Sequence, residues 1–268
     1  MTAAGSGASK SAPSVTALAK VIVHKRLMLL VRYPVNTASQ YLSLVLIFLL
    51  VFLGGRAVAG PALTESLDGI IVGFFLFTLT MTSYSGITND ITSEAQWGTL
   101  ERLYMSPHRF GVVIGLSTLA NIALSFLWGA ILLGIMMALT GRWLTVDPLT
   151  ILPLVSLTLM SVLGIGFLFG GLAIVYKRIG NVFSLLQFGF IGLIAAPVGD
   201  IAALRLLPVA HGSYLTRVAM EQDVRLWEFP AWELGLLVAT ATAYLTVGYL
   251  CFSRLTTVAR KRGVMGHY

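Results

Sequence analysis

The sequence predicts an all-α integral membrane protein: six transmembrane helices, an N-terminal amphipathic interfacial helix, a cytoplasmic helix between the second and third spans, and short outer-face helices between the fifth and sixth. Composition is the first observation behind this, with 57% hydrophobic and 11% charged residues and a mean hydropathy of +0.86. The second is length, because the apolar runs reach the roughly 20 residues that a helix needs to cross about 30 Å of hydrocarbon, and no strand-type alternation competes. The third is charge asymmetry. With the N-terminus, the 90–109 loop, Lys177-Arg178 and the C-terminus on one side, that side collects 13 of the 18 basic residues and only 3 acidic ones. Positive residues in short loops stay cytoplasmic, so both termini and the 90–109 loop are assigned to the cytoplasm. The net charge of +7 then follows from membrane sorting and anionic lipid and calls for no nucleic acid.

Taken along the chain, residues 1–14 are a Ser/Ala/Gly-rich start expected to be disordered. Residues 15–33 form the interfacial helix, with Leu18, Ile22 and Leu29 at near-helical spacing and Lys20, His24, Lys25 and Arg32 elsewhere around it, ended by Pro34. A signal peptide ending near Ala57-Val58-Ala59 is the competing reading, and a charged leader of this length argues against it. Residues 34–260 form one transmembrane domain, with spans at 37–55, 69–89, 110–140, 149–176, 180–199 and 232–253, and 254–268 is a basic tail. A seventh span within 200–231 would reverse the last basic cluster and bury Arg205 and Arg217 in the bilayer, so two short outer helices broken near Pro208 to Gly212 are expected. Gly166 and Gly170 in the fourth span form a close-packing motif for a neighbouring helix. The hydroxyls Thr78, Thr80, Thr82, Ser83, Ser85 and Thr88 of the second span either bond back to their own helix or face an amphipathic path.

No phosphate loop of the G-x-x-x-x-G-K-[ST] type occurs, and no ionisable residue stands near the middle of a span, where proton- or ion-coupled carriers place them. The four histidines, His24, His108, His211 and His267, lack ligand spacing, so no metal site is read, and the lone Cys251 cannot form an intrachain disulfide. No enzyme is expected. A driving force for transport has to come from another subunit.

The loop after the second span carries the most specific signal. Ser93 with Gln96 reads as a capping box and Ser106-Pro107 as a stop, predicting a helix over 94–105 on which Trp97, Leu100, Leu103 and Tyr104 form an apolar face. Such a helix either rests on lipid head groups or inserts into a cytoplasmic protein.

Together these residues resemble a membrane subunit of an ATP-binding-cassette exporter of the ABC-2 permease type. The resemblance covers nearly the whole chain: an amphipathic helix ending in Arg32-Tyr33-Pro34, six spans, the loop Glu94 with Gly98-Thr99-Leu100-Glu101-Arg102-Leu103 and Ser106-Pro107, then Leu207-Pro208 and Tyr214 to Arg217. It implies that Glu94, Trp97, Gly98, Thr99, Leu100, Glu101, Arg102, Leu103 and Tyr104 form a coupling helix fitted into a cleft of a separate ATPase. Lys25 and Arg26 then contact either that ATPase or lipid. The resemblance further implies a cytoplasmic ABC ATPase in two copies, a second permease copy (the same chain or a related one), and a fifth span whose Phe183, Phe188, Gly189, Phe190 and Gly192 serve the substrate path or dimer contact. No cofactor is bound by this chain, and ATP and Mg belong to the ATPase. The drug-export branch is the nearer one, so the expected substrate is an amphipathic or lipophilic drug, antibiotic or lipid, with polysaccharide or another glycoconjugate as the alternative. A scaffold or sensor that docks a cytosolic partner without transport is the alternative of another class.

Overall fold

The structure is a computed structural model that describes residues 15–59, 61–96, 110–176 and 180–261. Those residues form helices α1 (Val15–Arg32), α2 (Pro34–Ala59), α3 (Pro61–Gln96), α4 (Phe110–Thr140), α5 (Pro148–Tyr176), α6 (Gly180–Ile194), α7 (Ala210–Gln222) and α8 (Ala231–Lys261). Two short 3-10 segments, Ala202–Leu206 and Leu226–Glu228, flank α7. The chain is thus an all-helical membrane protein, with no strand among the described residues.

Local chemistry sets the helix ends. Pro34, Pro61 and Pro148 open α2, α3 and α5, where the missing N–H costs nothing because the first turn has no acceptor for it. Gly141, at φ 70°, ends α4 in the left-handed conformation that glycine adopts freely. Asp147 starts α5: its carboxylate accepts from the Leu149 backbone N–H at 3.2 Å and from the Thr150 hydroxyl at 2.6 Å. The Thr150 hydroxyl first, then these backbone donors, hold the Asp147 carboxyl below its usual range. A depressed folded pKa stabilises the fold above the unfolded value and loses that contribution as pH falls. Asp147→Ala is therefore expected to lower the thermal midpoint at pH 7, with the gap to wild type closing only as pH falls below about 4, through the lowered folded pKa.

Five helices contain stretches long and apolar enough to span a membrane: Thr37–Ala57, Leu67–Gly86, Gly115–Thr140, Pro148–Tyr176 and Ala231–Ala259. The segment expected as a fifth span over 180–199 is different. Helix α6 stops at Ile194 after 15 residues, about 22 Å, because Pro197 disfavours helix in the residue before it and the chain turns at Ala195. The third expected span, 110–140, coincides with α4, whereas the second lies within a longer helix, 61–96. Ser93 is consequently an interior residue of α3 and not a helix cap: no Gly or Pro follows Gly86 before Gln96, so the helix runs on past its apolar segment.

Helices α3 and α5 form the interior, with 56% and 61% of their apolar windows buried, against 11% for α2 and 17% for α8. Ile71, Val72, Phe75, Leu76 and Leu79 of α3 anchor one core that takes Leu132 and Met136 from α4, Val155 and Leu159 from α5, and Phe48 from α2. A second core joins α5 to α8 through Leu163, Phe167, Ile174, Phe252 and Ala259. Those two helices run parallel and nearly touch. A Cβ on Gly164 would meet the Tyr244 carbonyl, one on Gly248 would meet the Gly164 carbonyl, and one on Gly171 would lie 3.2 Å from the Phe252 Cα. Gly166 and Gly170 are buried in α5, but the backbone approach falls at Gly164 and Gly171 beside them. Helix α1 lies along α4, where Arg26 donates to the Ser117 hydroxyl at 3.3 Å.

Candidate functional site

The loop that carries the strongest sequence signal has a describable base. Glu94 falls in the last turn of α3; Trp97, Gly98, Thr99, Leu100, Glu101, Arg102, Leu103 and Tyr104 lie outside the described residues. Helix α3 carries this loop on an extension of ten residues beyond Gly86, about 15 Å of continuous helix. The same helix contacts α2, α4, α5, α6 and α7. A displacement at its C-terminal end therefore bears on most of the bundle.

Of the two basic residues expected to reach a partner or lipid, Lys25 is exposed, whereas Arg26 is half-buried against α4 through Ser117. Leu18, Ile22 and Arg26 share the stripe of α1 that faces inward, one turn apart.

The α6 residues divide between two faces. Phe190 is buried and Phe183 partly buried, both edge-on to Tyr84 of α3 at ring-centroid distances of 5.5 and 6.1 Å. Phe188 is 69% exposed on the other side, and a Cβ on Gly189 or Gly192 would meet nothing. The five residues do not converge: two lock α6 to its own bundle, and three belong to an open apolar face shared with Leu185 and Ile191. The aromatics of the first span also turn inward. Phe48 meets Phe74 at 5.5 Å, and Tyr41 stacks on Trp128 at 4.2 Å.

Thr78, Thr82, Ser85 and Thr88 donate to carbonyls one turn earlier on α3, at 2.8 to 3.4 Å, which decides for back-bonding at those positions. Asn121 of α4 donates to the Thr82 carbonyl at 3.2 Å, entering a gap that exists because Gly86 has no side chain.

The region between α6 and α8, expected to hold outer helices, reaches deep into the bundle. Its short helices are broken at 207–209, near the expected Pro208. Helix α7 runs antiparallel to α5: the Val209 N–H donates to Ser161 Oγ at 3.2 Å, Gly212 faces Thr158, and Met220 accepts from Thr145 N–H at 3.3 Å. Ser161 stands about 20 Å along α5 from Pro148. At the break, Ser213 Oγ donates to the last α6 carbonyl, Ile194, at 3.2 Å. Helices α6 and α7 cover successive levels of α3: Phe183 and Phe190 at Tyr84, Ile194 at Gly73, and Arg217 and Glu221 at Gly69.

Val209 holds φ 69°, ψ −40°, and the Ala210 N–H bonds the Pro208 carbonyl at 2.8 Å. This is a γ-turn that a β-branched residue adopts only when its surroundings impose it. The bond to Ser161, burial of the Val209 side chain and the Gly212–Thr158 approach supply that constraint. Gly212→Ala is expected to destabilise by about 1–3 kcal/mol, and Thr158→Ala to recover part of the loss, because Thr158 Oγ1 and Cβ stand where the new methyl goes. Thermal midpoints of the two singles and the double check it.

Helix α8 fastens the same segment from the other side. Tyr244 donates to the Leu206 carbonyl at 3.3 Å, His211 Nε2 lies 3.0 Å from the Glu233 carbonyl, and Arg205 lies 3.7 Å from Glu233 and 4.9 Å from the Trp232 ring. In the sequence, Arg205, Leu207-Pro208 and the stretch from Pro208 to Gly212 hinted at a break; the pairings of Val209 with Ser161, Arg205 with Glu233 and Leu206 with Tyr244 carried no local signal. No group of three or more His, Cys, Asp or Glu among the described residues could hold a metal ion. No protein-family model matches the chain, and no curated protein matches it.

Proposed function

We propose that this chain is the membrane-spanning permease subunit of an ATP-driven exporter of the ABC-2 type, seated in the plasma membrane of a prokaryote with both termini in the cytoplasm. One observation carries the reading most directly: the loop with the docking signature sits at the end of a rigid helix whose other end is built into the core. A cytoplasmic ATPase holding the 94–105 segment would move α3, and α3 touches both pieces of the broken segment. Within the five long apolar stretches the ionisable residues, Arg56, Asp68, Glu233 and Arg254, fall near the ends, whereas His211, Arg217 and Glu221 belong to the interrupted α6–α7 segment.

On this reading α6 and α7 together make one interrupted crossing, the fifth in chain order and the one that brings the total to six. The break is tolerable in a membrane because it is bonded within protein, through Ser161, Ser213 and Tyr244. Six crossings put the two termini on one side. Tags at residue 1 and residue 268 are expected to show the same protease accessibility in sealed vesicles, and opposite accessibility would contradict the count.

Two ATPase domains have to close on one another, so two ATPase copies and a permease pair are assigned, the pair being a homodimer or this chain with a related one. The open apolar faces of α2 and α6, with Gly189 and Gly192 unobstructed, suit the pairing. The apolar character of the five long spans favours an amphipathic or lipophilic drug, antibiotic or lipid over a glycan. Inside-out vesicles containing the permease and its ATPase are expected to accumulate a labelled lipophilic drug on ATP addition. Accumulation of labelled glycan alone would move the substrate class, and uptake that follows a proton gradient while ignoring ATP would defeat the reading.

A further inference from the structure

A groove of about 440 Å³ runs along α8 on the side where the broken segment crosses it. Its floor is Ala239 and Ala243, one turn apart and with Thr240 between them; Leu236 and Val247 close its ends, and Leu206 with Tyr244 forms one wall. The wall is fixed, since Tyr244 donates to the Leu206 carbonyl. Thr240 bonds back to the Leu236 and Leu237 carbonyls, so the groove presents almost no polar surface of its own. Leu236 to Val247 measures about 16 Å along the helix, close to half of a hydrocarbon core about 30 Å thick. The groove therefore has the length of one leaflet.

The end beside Leu236 is marked as a membrane–water interface. Trp227 and Trp232 are exposed there, at 61% and 55%, as aromatic residues are at head-group level. Arg205 stands at the same end, adjacent in sequence to the wall residue Leu206. Its guanidinium is under-supplied: Glu233 lies 3.7 Å away, beyond hydrogen-bond length, and the buried Nε has no acceptor. A guanidinium is a fork of five donors suited to a phosphate.

We infer that this groove is a phospholipid site, holding one acyl chain of a lipid from the leaflet at the α8 N-terminal end, with the lipid phosphate on Arg205. The bound chain fills the space between α8 and the 195–209 segment. The lipid thereby becomes part of the contact that secures the break to α8. This rests on α8 being a span and not on the transport reading, so it stands or falls separately from the ATPase assignment.

The test is photolabelling of the chain in proteoliposomes with a phosphatidylcholine that carries a diazirine in its acyl chain, followed by peptide mapping. Labelling is expected to concentrate on Ala239, Ala243 and Tyr244, several times above Val238 and Thr242, which are exposed on another side of the same helix. Ala243→Phe, which fills the floor, is expected to abolish that excess. A diacylglycerol with the same chains is expected to label the groove several times less than the phospholipid. Equal labelling around α8 in the wild-type chain would overturn the site whatever the variant does, and equal labelling by the two lipids would overturn the phosphate contact at Arg205.

Discussion

Gly248→Leu and Gly164→Leu are expected to leave little folded protein. A Cβ at either position falls on a carbonyl of the opposite helix, the Gly164 carbonyl in one case and that of Tyr244 in the other. Both obstacles are backbone, so no rotamer change clears them and α5 has to part from α8. That separation would open the core formed by Leu163, Phe167, Ile174 and Phe252. Association of helices in lipid depends on close van der Waals packing, because apolar burial alone gives little driving force there. Overpacking usually costs about 1–3 kcal/mol, and a clash against backbone belongs at or above the top of that range. Gly235→Leu on the same helix is the control, since a Cβ there meets nothing within 4 Å. Thermal stability of the detergent-extracted chain reads the result: near wild type for the control, collapsed for the other two. A Gly248→Leu chain as stable as wild type would contradict a close backbone contact between α5 and α8.

The second large effect is on coupling. Trp97→Asp and Glu101→Arg are expected to abolish ATP-driven export while the chain still inserts and folds, because both fall in the polar 90–109 loop that the sequence assigns to the cytoplasm and not in an apolar span. Loss of an interface anchor costs about 2 kcal/mol or more, so ATPase binding should weaken by roughly thirtyfold or more. Pull-down of the ATPase and export in vesicles measure the two consequences separately. Variants that keep full export would remove the docking role from this loop.

Much of the fold is readable because spanning a bilayer imposes length and composition at once, which is why 110–140 is found at its expected bounds and α5 within one residue. Helix ends were less legible. The extension of α3 beyond residue 89 follows from the absence of a breaker, a weaker signal than the capping pattern at Ser93 that misleads there. Pro197 was a visible stop within the expected fifth span, and its effect on the residue before it accounts for the end of α6 at Ile194. The two faces of α6 were also latent in spacing: Phe183 and Phe190 are seven apart and share a side, while Phe188 falls elsewhere. By contrast, the meeting of Gly164 with Gly248, the hold of Ser161 on Val209 and the closure of Leu206 by Tyr244 join residues far apart in sequence. No local pattern encodes such pairings; they follow from how the helices settle against one another.

The central claim is that a separate ATPase works through this chain, and its most direct test is affinity purification from the native membrane in mild detergent with mass spectrometry of what stays bound. The account predicts a phosphate-loop ATPase in about equal copy number with the permease. Repeated recovery of intact chain with no ATPase would contradict it and turn attention to a scaffold that docks some other cytosolic protein.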